Sequence, residues 1–230
     1  MRDSTKNRPY VIGSVAMSLD GRIDDLSAKR LVLSSPEDLT AVEALRARQD
    51  AILVGANTLR VDNPRLVLHS HELRQQRVKE RKRPDLIKVT LSASGNLDPT
   101  LAFFQTGTGE KIVYCAHAGF EMLKKSLGDK AVLVYYPAAE IAPQFILEDL
   151  FSRGVERILI EGGRQVHTMF LQAGLIDELR IAVAPFFVGE AGAPSFVAPG
   201  RYPFNKENRM ELASLERLGD TAVLNFKVKN

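Results

Sequence analysis

The chain has 230 residues, 45% of them hydrophobic, a size that supports one large α/β domain or two small ones, and we expect a single domain over residues 1–230. Its 31 basic and 28 acidic residues give a formal charge of +3. The two signs are mostly mixed along the chain, which fits anionic small molecules better than nucleic acid. The single cysteine, Cys115, excludes an intramolecular disulfide and a cysteine-rich zinc site, and it agrees with a reducing cytoplasm.

Neither a metal site nor a targeting segment is expected. The histidines show no ligand spacing such as H-E-x-x-H, and we interpret each as an ordinary surface or helix residue: His69, His71, His117 and His167. Residues 1–8 are polar and charged without an apolar run, which predicts neither a signal peptide nor a membrane anchor.

The first predicted elements are a strand and a helix. Tyr10–Met17 has the composition of a buried strand, and it runs into a turn marked by Asp20-Gly21. Residues 34–38 read S-S-P-E-D, which combines a serine N-cap, a proline in the first turn and early acids, so a helix should run to about Arg48. Helical spacing predicts that one of its faces lies in the core, through Leu39, Val42 and Leu45.

A second buried strand, Ala51–Val54, opens into the stretch G-A-N-T-L-R-V-D-N-P-R-L at residues 55–66. This stretch matches neither the P-loop nor the Rossmann fingerprint. Gly55 still permits a tight exit from the strand, and Asn57 and Thr58 can cap a short helix or bind a ligand. Asp62 follows Thr58 by one turn on the same face, and the Asn-Pro pair at 63–64 ends any helix.

Residues 69–85 carry six lysines and arginines and almost no apolar residues. We interpret them as a charged surface insertion. The alternative, an RNA-binding patch, is disfavoured because no aromatic residues are interleaved. A third strand, Leu86–Leu91, precedes a hydroxyl-rich turn at 92–99 that suits an adenosine ribose or a 2′-phosphate but equally suits a plain turn.

The next elements alternate between strands and helices, which predicts a largely parallel sheet. They are strands at Lys111–Cys115 and Val132–Tyr136, with helices around Phe120–Leu127 and Pro143–Arg153. The final third differs: a strand at Leu179–Ala184 is followed by a Gly/Pro-rich loop to about Pro203. Met210–Leu218 and Thr221–Val228 flank Gly219-Asp220, which predicts an antiparallel hairpin.

The stretch Arg157–Phe170 is the most informative. Three apolar residues, Ile158–Ile160, predict a strand buried on both faces, and helical spacing resumes from Gln165. Between them lies Glu161-Gly162-Gly163. Two glycines at such a junction allow a ligand to approach the backbone, and a helix N-terminus favours phosphate. The alternative is a turn that only requires positive φ.

Four motifs together resemble the reductase family of riboflavin biosynthesis, found as a domain of bacterial bifunctional enzymes and as stand-alone archaeal and fungal reductases. They are A-M-S-L-D-G-R-I, L-R-A-R-Q-D-A-I-L-V-G-A-N-T-L-R-V-D-N-P-R-L, I-L-I-E-G-G and G-L-I-D-E-L-R-I-A-V-A-P-F-F-V-G. The resemblance covers about residues 10–228. It implies a dihydrofolate-reductase-like α/β fold, with a mixed, mostly parallel sheet flanked by helices and a C-terminal antiparallel hairpin. It also implies NADPH as cofactor, a phosphorylated pyrimidine as substrate and a homodimer.

The resemblance also assigns residues. Thr58 and Asp62 match the family's T-x-x-x-D at the nicotinamide, with Gly55 and Asn57 beside them. The loop beside the adenosine part is matched by Thr90, Leu91 and Ser92. The cofactor's phosphate loop is matched by Gly162, Gly163, Arg164 and Gln165. The substrate side is expected at Ser14, Asp20, Ser34, Asn63 and Arg65, together with Glu161; Arg65 suits the substrate phosphate because its guanidinium gives bidentate, permanently charged contacts.

Hydride addition to C1′ of an opened ribosylamine requires a proton as well as the hydride, and Asp62 and Glu161 are the candidate donors if burial raises a carboxyl pKa. The alternatives are a helix or turn cap for Asp62 and an ion pair with Arg157 or Arg164 for Glu161. Departures from the bacterial pattern lie on the substrate side. Ser14 stands in place of lysine, and Arg22 replaces the lysine after S-L-D-G. Residues 27–35 lack the bacterial S-[RK]-W-I-T-S motif.

Three functional hypotheses follow from these patterns. The first is the stand-alone pyrimidine phosphate reductase, located in the cytoplasm. The second is a relative that reduces another pterin-like or pyrimidine substrate, which the altered position 14 allows. The third is a non-catalytic nucleotide-binding or basic interaction protein that uses residues 72–83 as its contact surface.

Overall fold

The computed structural model describes residues 7–27, 29 and 31–229. Residues 1–6, on which most of the N-terminal expectation rests, and Ala28 and Arg30 within the 27–35 stretch lie outside the described residues. The strands are β1 Tyr10–Met17, β2 Ala51–Gly55, β3 Ile87–Ser92, β4 Lys111–Ala116, β5 Val132–Tyr136, β6 Arg157–Gly162, β7 Glu178–Val183, β8 Glu211–Leu218 and β9 Thr221–Lys227. The α-helices are α1 Pro36–Ala47, α2 Ala56–Asp62, α3 His71–Lys79, α4 Ala102–Gln105, α5 Phe120–Leu127, α6 Pro143–Ser152 and α7 Arg164–Gln172.

The strands are hydrogen-bonded in the order β5-β4-β3-β2-β6-β1-β7-β9-β8. This arrangement confirms the predicted fold class, because parallel pairing prevails and the C-terminal strands pair antiparallel. The described chain forms two compact units. The first contains the residues up to Tyr10 and Leu45–Leu159, and the second contains Val11–Ala44 and residues from Ile160 onward.

In the first unit, β2, β3, β4 and β5 are parallel neighbours. Each strand but β5 is almost wholly buried, as the continuous apolar runs of the sequence predict. An apolar cluster packs against them, with Phe103 and Leu123 fully buried. The parallel arrangement places the carboxyl ends of the four strands along one edge, where ligands bind in open α/β sheets.

The charged run at 69–85 is tied to the first unit by two buried charges. Arg77, 2% exposed, donates hydrogen bonds to the carbonyl oxygens of Ala47 at 2.8 Å and Gln49 at 2.5 Å. Asp85, 1% exposed, accepts hydrogen bonds from Thr108 and pairs with Arg74 at 3.3 Å. Much of α3 is exposed, as predicted, but the segment is fixed in its middle by Arg77 and at its C-terminal end by Asp85, through contacts that its composition does not reveal.

In the second unit, β1 runs parallel to β7, and β7, β9 and β8 are antiparallel neighbours. The predicted hairpin is confirmed: β8 ends at Leu218, β9 begins at Thr221, and Gly219 has φ of 62°. Strand β8 exposes Leu212 and Leu215, whose side chains are 50% and 64% exposed.

Helix α1 begins as predicted but buries a different set of residues. Ser35 is its cap, because the Ser35 hydroxyl accepts a hydrogen bond from the Asp38 amide at 3.2 Å. The prediction that Leu39 lies in the core is wrong, since Leu39 is 51% exposed, and Val42 and Leu45 are only half-buried. The buried side chain near the N-terminus of α1 is instead Asp38, which forms an ion pair with Arg180 of β7. Apolar spacing could not reveal this face because a charged pair occupies it.

Candidate functional site

Candidate cofactor residues of the first unit lie together at the ends of β2 and β3. In the parallel register Gly55 is opposite Leu91, and Val54 is opposite Thr90. Helix α2 begins at Ala56, directly after Gly55. The structure thus places the start of α2, with Asn57 and Thr58, beside the loop that follows β3.

The start of α2 differs from the expectation in two respects. Gly55 is the N-cap residue with φ of −74°, a conformation that any residue adopts, so the exit from β2 does not require glycine. No side chain caps the helix, so the suggested capping by Asn57 or Thr58 is not made. The Asn57 amide oxygen instead accepts a hydrogen bond of 3.4 Å from Arg60. The predicted helix end is confirmed, since Asn63 takes left-handed φ of 43° and its amide bonds the Leu59 carbonyl.

The residues expected beside the adenosine part differ in exposure. Thr90 is fully buried, and its hydroxyl has no hydrogen-bond partner among the described residues. Ser92 is 3% exposed, and its hydroxyl accepts a hydrogen bond of 3.1 Å from the Gly95 amide, which closes the turn. A Cβ at Gly95 would lie 2.3 Å from the Gly119 carbonyl oxygen, so two backbone segments approach closely there. Leu91, half-buried, has the most accessible side chain of the three.

The segment Asn63–Leu66, called the 63–66 loop below, carries two candidate substrate residues. Asn63 and Leu66 have positive φ of 43° and 49°, which is costly for residues other than glycine. The Asn63 amide oxygen accepts a hydrogen bond of 2.7 Å from the Ala102 amide. The Arg65 side chain is exposed, while its carbonyl oxygen accepts a hydrogen bond of 2.5 Å from Lys88. The Thr106 hydroxyl lies 3.1 Å from the same oxygen, but its shorter bond, 2.6 Å, goes to the Ala102 carbonyl.

Sequence reasoning missed Lys88, which lies on β3 and is completely buried. Its ammonium donates to the carbonyl oxygens of Phe103 at 3.3 Å and Thr106 at 2.8 Å as well as to Arg65. Burial lowers the pKa of Lys88 from its ordinary 10.5 to about 8, and the neighbouring charge of Lys111 acts in the same direction. A lysine within a strand pattern gives no sign of this role, because its acceptors are distant in sequence.

The lowered pKa predicts how stability depends on pH. The folded state binds the Lys88 proton more weakly than the unfolded chain does, so this group makes folding more favourable as pH rises from about 8 toward 10.5, by up to ~3 kcal/mol. Urea unfolding of the wild type and of Lys88→Met should show the wild type gaining ~2–3 kcal/mol relative to the variant between about pH 7.5 and 10. A difference that stays constant with pH would contradict a buried, titrating ammonium.

Candidate phosphate-binding residues of the second unit form the junction between β6 and α7. Gly162 and Gly163 have φ of 120° and 84°, so both positions require glycine. Helix α7 has no side-chain cap and no acid in its first turn, which leaves the positive end of its dipole available to an anion. Arg164 is half-buried with its Nε hydrogen-bonded to no described residue, and Gln165 is exposed. These features fit a phosphate group of a nicotinamide dinucleotide.

His167 lies beneath this glycine junction on helix α7, so the interpretation as a helix residue is confirmed and the alternative of a surface residue is wrong. It is 1% exposed, with its ring 5.1 Å from that of Phe196. A Cβ at Gly162 would lie 3.2 Å from the His167 Nε2 atom. Burial lowers the pKa of His167 to about 4, with the Ser14 backbone acting weakly in the opposite direction, so the ring is neutral at pH 7. Neither ring nitrogen has a hydrogen-bond partner of normal geometry within residues 7–27, 29 and 31–229.

The expected substrate residues of the second unit have different environments. Ser14 on β1 is 6% exposed and lies opposite Arg180 of β7. Asp20 accepts hydrogen bonds from the Ser18 hydroxyl and from the Val188 and Gly189 amides. These bonds, that of Ser18 foremost, lower the Asp20 pKa to about 2. Its carboxylate therefore holds two loops together. Ser34 is half-buried and precedes the capping residue of α1.

The candidate proton donors lie one in each unit. Asp62 is the last residue of α2 and Glu161 belongs to β6, and each is half-buried and already takes part in a polar interaction. No cluster of three or more metal-ligating side chains occurs in the part of the chain that the structure describes. None of the helices in the described ranges is long and apolar enough to cross a membrane.

Solved structures define the class of fold. A pyrimidine reductase-like protein from Corynebacterium diphtheriae superimposes with a TM-score of 0.84 at 22% identity, covering 100% of this chain and 96% of that protein. A dihydrofolate reductase from Enterococcus faecalis gives a TM-score of 0.51 at 10% identity, covering 96% of this chain and 97% of that enzyme. The fold is therefore that of a dihydrofolate-reductase-like α/β protein.

Sequence comparison gives the family. Residues 9–224 match the family described as the RibD C-terminal domain. A 2,5-diamino-6-ribosylamino-4(3H)-pyrimidinone 5′-phosphate reductase from Archaeoglobus fulgidus is 35% identical over 213 residues, which cover 93% of this chain and 95% of the relative. The chain belongs to the RibD C-terminal domain family.

Proposed function

We propose that this chain is an NADPH-dependent reductase that converts the ribosyl group of a 5-amino-6-(5-phosphoribosylamino)pyrimidine to ribityl in riboflavin biosynthesis. The similarity to the archaeal pyrimidinone phosphate reductase carries the proposal, since it spans nearly the full length of both chains. We propose further that residues 1–230 act as one reductase domain.

Each unit carries groups proposed for cofactor binding. In the second unit, the glycine junction and the uncapped start of α7 bind a cofactor phosphate. In the first unit, the start of α2 and the loop after β3 are the groups proposed to contact the cofactor. In the first unit, Arg65 binds the substrate phosphate, and Asn63 is the other proposed substrate residue. In the second unit, the proposed substrate residues are Ser14, Asp20 and Ser34. The cofactor, when bound, supplies a hydride, and the chain supplies orientation and a proton from Asp62 or Glu161.

The charged segment supports a binding role less well than the glycine junction does. An open groove of about 680 Å³ runs along α3, but none of the candidate cofactor or substrate residues lines it. Several of its cations are paired: Arg74 with Asp85, Lys82 with Asp50, and Arg83 with Glu110. Such pairing weakens attraction for a polyanion. We therefore propose no nucleic-acid partner and no membrane partner.

We propose, from the resemblance to the reductase family, that the chain forms a homodimer and is located in the cytoplasm. The exposed leucines of the edge strand β8 are compatible with a second copy, because apolar side chains on an edge invite pairing. Light scattering at micromolar concentration tests the dimer: a mass of about twice 25.5 kDa is expected, and a monomer would contradict it.

The proposed activity is tested by following absorbance of the reduced nicotinamide. NADPH should be consumed when the ribosylaminopyrimidine phosphate is added, and not when dihydrofolate replaces it. Turnover of dihydrofolate or another pterin without turnover of the phosphate would favour the second hypothesis, which the serine at position 14 allows. Absence of saturable NADPH binding would remove both enzymatic hypotheses.

A further inference from the structure

The buried ammonium of Lys88 holds the 63–66 loop by its backbone. Its hydrogen bonds reach three carbonyl oxygens, those of Arg65 at 2.5 Å, Phe103 at 3.3 Å and Thr106 at 2.8 Å, and the Thr106 hydroxyl at 3.1 Å. A lysine ammonium has three protons, which these four acceptors share, so its donor capacity is used completely. Burying a charge without such partners is prohibitive, which ties the position of these carbonyls to the presence of the ammonium.

The loop needs this support because its backbone is strained. Asn63 and Leu66 both have positive φ without being glycine. Such residues persist only where surrounding contacts fix them. The contacts here are the Ala102 amide on the Asn63 side chain and Lys88 on the Arg65 carbonyl, with the Thr106 hydroxyl 3.1 Å from the same carbonyl. Lys88 supplies the charged contact among them.

The fixed backbone presents an exposed guanidinium. The Arg65 carbonyl points to the buried ammonium, while its side chain is exposed. A long arginine side chain on a mobile loop would lose conformational freedom when it binds an anion, and fixing its backbone removes part of that cost.

We propose that Lys88 is a positioning residue for substrate binding: it fixes the 63–66 loop so that Arg65 is held ready for the substrate's phosphate. This inference rests on the proposed assignment of Arg65 to that phosphate. Lys88 touches neither substrate nor cofactor in this account and acts only through the Arg65 backbone.

The test compares Lys88→Met, Arg65→Ala and the double variant on the phosphorylated ribosylaminopyrimidine and on the same compound without its phosphate. Lys88→Met should raise the KM for the phosphorylated substrate about tenfold, with little change in kcat or NADPH affinity. It should leave the KM for the dephosphorylated compound unchanged. In the Arg65→Ala background it should add no further loss, because both changes remove one interaction.

Two further variants provide a matched control and a replacement for Lys88→Met. Lys111→Met is the matched control, because Lys111 lies opposite Lys88 on β4 with its ammonium exposed and donating only to the Gly107 carbonyl in the described structure. It should behave as wild type. Thr106→Val removes the hydroxyl that accepts a hydrogen bond of 3.1 Å from the Lys88 ammonium and that lies 3.1 Å from the Arg65 carbonyl oxygen. It should raise the same KM by a smaller factor, and it serves if Lys88→Met does not fold.

Hydrogen exchange supplies a readout that needs no substrate: Lys88→Met should accelerate exchange of the amides at 65 and 66, and Lys111→Met should not. If Arg65→Ala leaves the phosphorylated substrate's KM unchanged, the assignment of Arg65 fails and the inference fails with it. If Arg65→Ala raises that KM but Lys88→Met changes neither KM nor exchange, or impairs both substrates equally, the positioning role alone is overturned.

Discussion

Replacing Gly162 by valine is expected to weaken NADPH binding at least about 100-fold, equivalent to ~3 kcal/mol. Gly162 has φ of 120°, a conformation that valine strongly disfavours, and its new Cβ would lie 3.2 Å from the buried His167 ring. Either the backbone of the β6–α7 junction moves, or the valine side chain covers the backbone where the phosphate would bind. Each change removes close contact between the backbone and a phosphate. Because the chain contains no tryptophan, titration that follows the fluorescence of NADPH itself, or calorimetry, measures the dissociation constant.

Gly154→Val is the matched control for this variant. Gly154 also has positive φ, 84°, but it follows α6 and has no atom near the added Cβ. It should lower the free energy of unfolding, because valine disfavours positive φ, while leaving NADPH affinity at the wild-type value. A folded Gly162→Val protein with unchanged affinity would show that the junction is only a turn, and the milder Gly162→Ala replaces it if valine prevents folding.

Removing the proton donor is expected to lower kcat by a factor of about 100 to 1,000, the usual size of a general-acid contribution. Asp62→Asn and Glu161→Gln keep the shape of the side chains and remove the acid. The variant of the true donor should retain wild-type NADPH affinity and should lose the fall of kcat at high pH that deprotonation of a donor causes. Steady-state kinetics across pH, with substrate saturating, measures both effects.

Glu110→Gln is the control for loss of a carboxylate, since Glu110 pairs with Arg83 at 3.8 Å and belongs to no candidate group. It should retain full activity. A large loss for one of the two candidates identifies the donor and leaves the other with its alternative role, a helix cap for Asp62 or an ion pair for Glu161. If both variants keep kcat within about threefold of wild type, neither carboxyl is the general acid.

Local patterns in the sequence predicted most of the fold. The strand after residue 50, the hairpin about Gly219 and the helix cap near Ser35 lie within one or two residues of their predicted positions. These features are encoded locally, by apolar runs, turn residues and capping side chains. The two positive φ values at Gly162 and Gly163 belong to the same group, since only glycine adopts them readily.

Buried polar residues could not be predicted in the same way. Lys88, Arg77 and His167 each occupy a position where sequence suggests exposure, and each is at most 2% exposed. The buried charges of Lys88 and Arg77 are compensated by hydrogen bonds to backbone carbonyl oxygens that are distant along the chain. Every residue has such a carbonyl, so these acceptors cannot be recognised from the amino-acid composition. Leu39 shows the reverse error: its helical spacing suggested the core, but Asp38 faces inward because Arg180 of β7 partners it.

The candidate site is intermediate between these cases. Family motifs named its residues, and strand register accounts for why Gly55 and Leu91 are neighbours. The roles inside each motif were less predictable. The Ser92 hydroxyl accepts a hydrogen bond within its own turn, whereas the Asp20 carboxylate accepts hydrogen bonds from a loop distant in sequence.

Transfer of deuterium from the cofactor is the most direct test of hydride addition to C1′. NADPH that carries deuterium in both C4 positions of the nicotinamide is incubated with the protein and the ribosylaminopyrimidine phosphate, and the product is examined by mass spectrometry and NMR. We expect one deuterium at C1′ of a ribityl product, in an amount equal to that of the NADPH oxidised. A product without deuterium at C1′, or no product at all from a protein that binds NADPH, would contradict it.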